Sequence, residues 1–532
     1  LIRRIVAAVA LLAVWAGAAR PASAEPHVLR FADGQDVSSL NILLATTANS
    51  FSLGELTMAQ FFRFDAHGTP IPELVTEVPS RANNGISADG KTITFHLRRN
   101  VKWSDGVAFD ARDVTYTYRV ATDPSNNIAV RDPWTRITGI DAPDRFTVVM
   151  HFKSPYAPFA QDYFSPVSNM CILPEHAIGP GTSINQSAYN EKPIGIGPFR
   201  YVAYHRGDSV EMEANPYYWR GKPKLQRIVY KIVTDQNTIF TQLQTGELDL
   251  WDTVEGALAQ RARALPGKAI ASRLSDFSNA IFFNTSRGVV ADPAVRRALA
   301  YATDRRVALE KIGFGDGVLT EGLITRTSPD TLELPLVPFD LQRANALLDA
   351  AGWKRGPDGT RIRNGVPLAI ELAYPAGYVP SATQAAILHD EWGQAGVALT
   401  IHAWSNAQFF APESAGGIIM SGKFDVALYA ESTGPLFANV NGVYDCAGIP
   451  PNGFNAPRYC NRTVDALNGR YLQTFEPAAR RAIAHEMQRR IDADTPAIVL
   501  YQRTFLAAYD VRLRGYHPNS FSYWGDPLDL DI

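Results

Sequence analysis

The chain opens on an uninterrupted apolar run. Ile5 to Ala16 follow Arg3 and Arg4 without a polar residue, and Gly17 to Ala19 continue the run with small side chains. Ala22 and Ala24 then supply the small residues that a signal peptidase reads at −3 and −1. The run is shorter than the ~20 apolar residues that span a bilayer. Residues 1–24 are therefore expected to be a cleavable secretory signal, with Glu25 first in an exported product.

Beyond the leader the patterning changes twice. A short strand is expected from Val28. Ile93, Phe95 and Leu97 alternate with Thr94 and His96, and Phe146, Val148, Met150 and Phe152 alternate likewise, which is the period-two signature of half-buried strands. A helix from Asp110 to Val120 separates these two, and a strand over Arg227–Val233 precedes a helix over Asn237–Leu243. From about residue 290 the period becomes helical. Asp292-Pro293 reads as an N-cap followed by proline in the first turn, with Val295, Ala298, Leu299 and Ala302 on one face. Asp340 starts another helix that Gly352 ends. Strands over Leu368–Ala373 and Val397–His402 flank a helix over Thr383–Gln394, a β–α–β rhythm. A helix over Pro477–Ala493 and a strand over Ala497–Tyr501 close the pattern.

Composition narrows the function classes. With 532 residues, 46% hydrophobic and 20% charged, the chain has material for about three folding units. Cleavage after Ala24 would remove Arg3, Arg4 and Arg20, leaving 508 residues and moving the formal charge from −2 to −5. Such a balance argues against a broad nucleic-acid binder, which needs clustered Lys and Arg. Of three cysteines, Cys446 and Cys460 bracket a Pro/Gly/Asn-rich stretch and are expected to form a disulfide after export, while Cys171 reads as a buried inert thiol.

A search for catalytic chemistry returns nothing. G-x-S-x-G, H-E-x-x-H, a P-loop and the Rossmann glycine fingerprint are all absent, and no His pair stands near the cysteines at metal-ligand spacing. Asp249 and Asp252 read as solvated loop acids, Gly195-Ile196-Gly197-Pro198 as a tight turn, and Arg458 as an exposed loop arginine. No catalytic residue, metal site or cofactor is expected, so an exported hydrolase is the weaker alternative.

Four linear segments carry more. Ile71-Pro72-Glu73-Leu74 leads to Asp89–Asn100 and to Val101-Lys102-Trp103-Ser104-Asp105-Gly106, then to Phe109-Asp110-Ala111-Arg112-Asp113-Val114. Pro193–Phe199 is followed by Asn215-Pro216-Tyr217-Tyr218-Trp219, Gly221-Lys222-Pro223 and Gln244–Asp249. Phe283-Asn284-Thr285 precedes Asp292–Asp304, and Ala344–Trp353 closes the set. In this order and spacing they resemble the family 5 extracellular solute-binding proteins, the dipeptide, oligopeptide and nickel receptors of bacterial ABC importers.

The resemblance implies an α/β, two-lobed periplasmic binding protein (Venus-flytrap) fold with an extra β-rich domain inserted in the first lobe. Mapped onto this chain, lobe one comprises 25–60, 190–272 and 495–532, the insert 61–189, and lobe two 273–494. It further implies a periplasmic monomer without catalysis or cofactor. That monomer would capture a peptide or peptide-like solute in the interlobe cleft and pass it to permease subunits at the inner membrane. The family's amine-binding loop carries an Asp that Tyr429–Leu436 lacks. Glu431 is the candidate replacement, and the alternative is a solvated Glu431 with an opine, sugar or nickel-chelate ligand. A sensor or chaperone-like protein without a transport partner is a further alternative. Other cleft candidates are Thr46, Thr47, Trp251, Asn279, Trp404, Tyr429 and Ser432, with the Cys446–Cys460 bridge stiffening one wall.

Overall fold

Two long strands, Lys268–Phe283 and Ala497–Asp510, run antiparallel through the middle of one 11-stranded sheet. The computed structural model describes residues 27–532 except 255, 378 and 435, so the expected signal peptide lies outside the described residues. On one side of the long pair lie Val426–Ser432, Ala369–Pro375 and Ala398–Trp404. On the other lie Leu250–Trp251, Val28–Ala32, Arg227–Lys231, Ser209–Ala214 and Phe199–His205. The two long strands belong to both halves. The molecule is thus two α/β lobes joined by crossing strands.

The β–α–β rhythm seen in the sequence is present. Ala369–Pro375 and Ala398–Trp404 pair in parallel across the helix Val379–Gln394, and Ala369–Pro375 is also parallel to Val426–Ser432. Parallel neighbours need such crossovers. Ile370, Leu372, Val426 and Leu428 pack under the helices Pro293–Tyr301, Leu341–Ala350 and Val379–Gln394 in one core. The caps behave as their chemistry requires. Asp292 accepts from the Ala294 N–H at 2.9 Å, and Asp110 and Asp113 form a reciprocal capping box on Ala111–Thr122.

The β-rich insert is a three-stranded antiparallel sheet of Thr92–His96, Thr147–Phe152 and Ile137–Asp144, in that order, with the helix Ala111–Thr122 against it. Ile93, Phe95, Val148 and Met150 are fully buried, as their alternation predicts. The insert meets both lobes. On one side the Ser104 N–H donates to the Gly195 carbonyl at 2.8 Å, in a glycine turn so close to Thr57 that a Cβ at Gly197 would lie 2.5 Å from the Thr57 carbonyl carbon. On the other side, Phe159 packs on Phe475 and the Ala157 N–H donates to the Leu472 carbonyl at 2.7 Å.

Asp249 and Asp252 are not the solvated acids that the sequence suggests. Both are buried. Asp249 accepts from the Arg30 N–H at 2.9 Å between the Arg30 and Arg512 guanidinium groups, and Asp252 lies 3.9 Å from Arg273. The strand Leu250–Trp251 between them is too short for a periodic signal, so their inward position left no trace in the pattern. Arg458 is half-buried rather than exposed, because its guanidinium donates to the Met420 carbonyl at 2.9 Å.

Candidate functional site

In open α/β sheets the carboxyl ends of parallel strands frame the ligand crevice. Here Ala369–Pro375 ends at Pro375, and the chain turns into the helix Val379–Gln394. Ala398–Trp404 ends beside the short helix Asn406–Phe409. Between these ends and the two crossing strands lies a cleft of about 370 Å³, within the range of small-molecule sites. Its wall includes Asn279, Tyr501, Arg503, Ser381, Gln384 and Phe410. A second hollow of about 280 Å³ shares Ile312, Pro380, Tyr501 and Arg503 with it and reaches Val254, Gly256 and Phe505. The combined wall therefore follows the crossing strands from one lobe toward the other.

Strand register decides what faces the cleft. Asn279 stands opposite Ala430 on one side and Tyr501 on the other, so these residues share one face of the sheet. The Asn279 amide donates to the Tyr501 hydroxyl and accepts from Arg503 Nε at 2.9 Å. These contacts fix the guanidinium against the wall. Gln384, in the second turn of its helix, is 3% exposed, and neither end of its amide has a protein partner among the described residues.

The opposite face carries different chemistry. Ser278 stands between Glu431 and Gln502, and Ala280 stands opposite Tyr429. Glu431 is 8% exposed and accepts from the Tyr444 hydroxyl, while its second carboxylate oxygen has no hydrogen-bond partner among the described residues. Burial pushes this carboxyl up to about 8, against the Tyr444 hydrogen bond that works to lower it. A solvated Glu431 is therefore ruled out. Tyr429 borders the cleft while its ring stacks on Phe282 with centroids 4.1 Å apart, so it is committed to packing. The Ser432 hydroxyl donates to Asp276.

The remaining sequence candidates are scattered. Thr47 precedes the helix Ala48–Thr57, and its hydroxyl bonds Ser38, Asn49 and Ser50. Thr46 is exposed, and its N–H donates to Ser38 Oγ. Trp251 is fully buried in the core of lobe one under Ile239 and Leu243. Trp404 is half-buried at the end of its strand, and its indole N–H has no partner among the described residues. The cleft thus gathers Asn279 and Tyr429, places Glu431 and Ser432 beside them, and leaves Thr46, Thr47, Trp251 and Trp404 outside its wall. The Cys446–Cys460 disulfide forms, and its loop contains Phe454, whose ring meets Tyr429 edge-on. Cys171 is buried, and burial pushes its thiol up to about 12, where it is inert.

Arg503, Gln384, Ser381 and Phe410 have no counterpart among the sequence candidates. The strand expectation stopped at Tyr501, and the helix expectation began at Thr383. Both ended short of the residues that turn into the cleft. The usable signal was an arginine at even spacing from Tyr501 along a strand whose apolar run had finished.

Comparison with known proteins agrees with this geometry. The sequence profile described as "Bacterial extracellular solute-binding proteins, family 5 Middle" matches residues 69–444. A glutathione-binding protein, GsiB, of Pectobacterium atrosepticum is 28% identical over 435 residues, covering 81% of each chain. The nickel-binding periplasmic protein of Escherichia coli is 28% identical over 403 residues, covering 74% of each. The crystal structure of the ABC transporter substrate-binding protein CtaP from Listeria monocytogenes superposes with a TM-score of 0.81 at 21% identity, over 94% of this chain and 98% of that one. The match extends over more than two thirds of the sequence, and the chain belongs to the family 5 bacterial extracellular solute-binding proteins.

Proposed function

We propose that the chain is a periplasmic receptor that captures a peptide or peptide-like solute between its lobes and delivers it to the permease of an ABC importer. The observation that carries this reading is the cleft beside the two crossing strands, whose wall offers amide, hydroxyl, guanidinium and aromatic groups. Those groups complement peptide bonds and side chains. A related chain binds glutathione, itself a tripeptide, which supports a peptide-like solute here. We assign the lobes as 25–60 with 190–272 and 495–532, and 273–494, with 61–189 as the insert. Solute touching both lobes favours the closed form by its differential affinity for the two states. A permease then distinguishes closed from open, and no bond is made or broken.

In this reading Asn279 and Tyr429 belong to the wall, Ser432 borders it, and Glu431 is a buried carboxyl available to a cationic group that displaces its proton. The protein acts as a monomer after removal of residues 1–24. Among the described residues no group of three His, Cys, Asp or Glu could hold a metal ion, and no helix is long and apolar enough to cross a membrane. Mild purification followed by mass spectrometry of the released solute is the test. A peptide or acylated amino acid is expected, and recovery of a sugar or metal chelate without either would overturn the reading.

A further inference from the structure

The insert is held to its two neighbours by different chemistry. Toward lobe one the joints are polar. Arg63 lies 3.3 Å from Asp526, Glu73 accepts from the Tyr218 hydroxyl at 3.1 Å, and the Ala129 N–H donates to the Leu43 carbonyl at 2.9 Å. Toward lobe two the described residues share one hydrogen bond, from the Ala157 N–H to the Leu472 carbonyl, and no ion pair.

What meets there instead is two apolar side chains and two glycines. Phe475, in the loop between the helices Arg462–Gln473 and Pro477–Asp494, reaches the turn that holds Gly90. A Cβ at Gly90 would lie 2.9 Å from its ring, and Phe159 packs on that ring with centroids 6.5 Å apart. The Arg81 guanidinium stands 5.6 Å from the same ring centroid. Leu436, in the loop after Val426–Ser432, reaches the turn that joins Phe62–Phe64 to Pro70–Pro72. A Cβ at Gly68 would strike it, and it is buried in one cluster with Phe64 of the insert and Phe521 of lobe one. Gly68 and Gly90 have φ of +79° and +71°, so each turn favours glycine for its backbone, and the same choice leaves room for a plug.

Apolar contact is non-directional, and it parts without stranding a hydrogen-bonding group. A joint built from it can open. Parting the polar joints toward lobe one would leave charges without partners in a poorly solvated place.

We infer that Phe475 and Leu436 form a two-point latch, received by the insert over Gly90 and Gly68 when the lobes close. The latch rests on the closing-lobe reading and deepens it: the closed form is favoured by contacts that the solute never touches. Where only the closed form binds tightly, apparent affinity falls in proportion to the closed fraction. These two loop residues therefore tune affinity from outside the cleft.

The test compares the full chain, dialysed free of solute, with Phe475→Ala, Leu436→Ala and the double variant. Hydrogen exchange at Ala157, read by mass spectrometry, reports separation of the insert from lobe two. Exchange at Asn284, whose N–H donates to the Asp425 carbonyl at 2.9 Å within lobe two, reports the folding of that lobe. Small-angle scattering supplies the radius of gyration. Exchange at Ala157 is expected to quicken by on the order of tenfold for each side chain removed, the weight of one buried apolar group. The radius should grow, and Asn284 should not change. A parent that already exchanges Ala157 faster than Asn284, with variants no faster, overturns the latch and leaves the closing lobes standing. Exchange at Ala157 as slow as at Asn284 in every protein means that insert and lobe two never part. That result overturns the closing-lobe reading and the latch with it. Faster exchange at both sites together would make Phe475 and Leu436 ordinary packing of lobe two and overturn their assignment, as would faster exchange at Ala157 with an unchanged radius.

Discussion

The two faces of the sheet where the strands cross lobes differ in chemistry although they share the same three strands. One face presents Asn279, Tyr501 and Arg503 to an open cleft, and the other buries Glu431 against Tyr444 among aromatic rings. Alternation along each strand is the whole cause. A residue and its neighbour point to opposite faces, so Ala430 belongs with Asn279, and Glu431 belongs with Ser278 and Gln502. Solvent access then decides the outcome. The Arg503 guanidinium lines an open cleft, whereas the Glu431 carboxyl lies in a poorly solvated interior and is driven toward its neutral form. Neighbouring residues in sequence are therefore poor guides to shared function in a strand.

The acidic face offers the largest expected effect. Glu431 has its folded value pushed up to about 8 from an ordinary 4.5, so the folded state holds a proton that the unfolded state releases. Its contribution to stability is present below the ordinary value and is lost as pH rises toward 8. Glu431→Gln should match the parent near pH 5 and exceed it near pH 9 by up to about 1.4 kcal/mol for each tenfold gain in the carboxyl's proton affinity on folding, read by urea unfolding at both pH values. Identical pH slopes for parent and variant would mean that the carboxyl is not isolated in the interior.

Next in size is the bridge that closes the loop beside that face. Cys446 and Cys460 are 14 residues apart, and removing the link with Cys446→Ser and Cys460→Ser together should cost about 3 kcal/mol. Thermal melting under oxidising conditions measures this, and a melting temperature unchanged from the parent would show that the loop is held by packing alone. Smaller again, Tyr444→Phe takes away the hydroxyl that donates to Glu431 and should cost about 1–3 kcal/mol by leaving a buried acceptor unsatisfied. Its effect should vanish in a Glu431→Leu, Tyr444→Phe pair if the two residues act only on each other, because leucine offers no acceptor, and strictly additive losses would deny that coupling. The polar face responds least in stability. Asn279→Ala should change unfolding by about 1 kcal/mol or less, because water reaches the groups it releases. A loss as large as that of the disulfide variant would place Asn279 in the core instead of the wall.

Where burial is one-sided and regular, the pattern was readable in advance. Ile93, Phe95, Val148 and Met150 alternate because one face of the insert's sheet is packed and the other is not. Asp292 and Asp340 marked helix starts because a cap is a local requirement. The strand Lys268–Phe283 is legible only at its end beyond Asn279, for the opposite reason. It leaves one lobe and enters another, so its burial is mixed along the first half and continuous only near Phe283. Arg503 and Gln384 were illegible for a related cause. Each lies just past the apolar run of its element, at the point where the chain turns from core to cleft. Glu431 was noticed through its loop, yet its burial depends on Tyr444 and Tyr429, which no local pattern brings together.

The crossing strands hold one more lesson in how they are stitched. Pairing between them is regular up to Leu274, resumes at Ser278, and skips the residues between. Gln502, fully buried, fills part of the gap by donating from its side chain to the Ser275 carbonyl at 2.6 Å while accepting from the Arg326 N–H. A rung missing from the ladder that joins the lobes is thus made good by one side chain, so the joint rests on a buried glutamine as well as on backbone pairs.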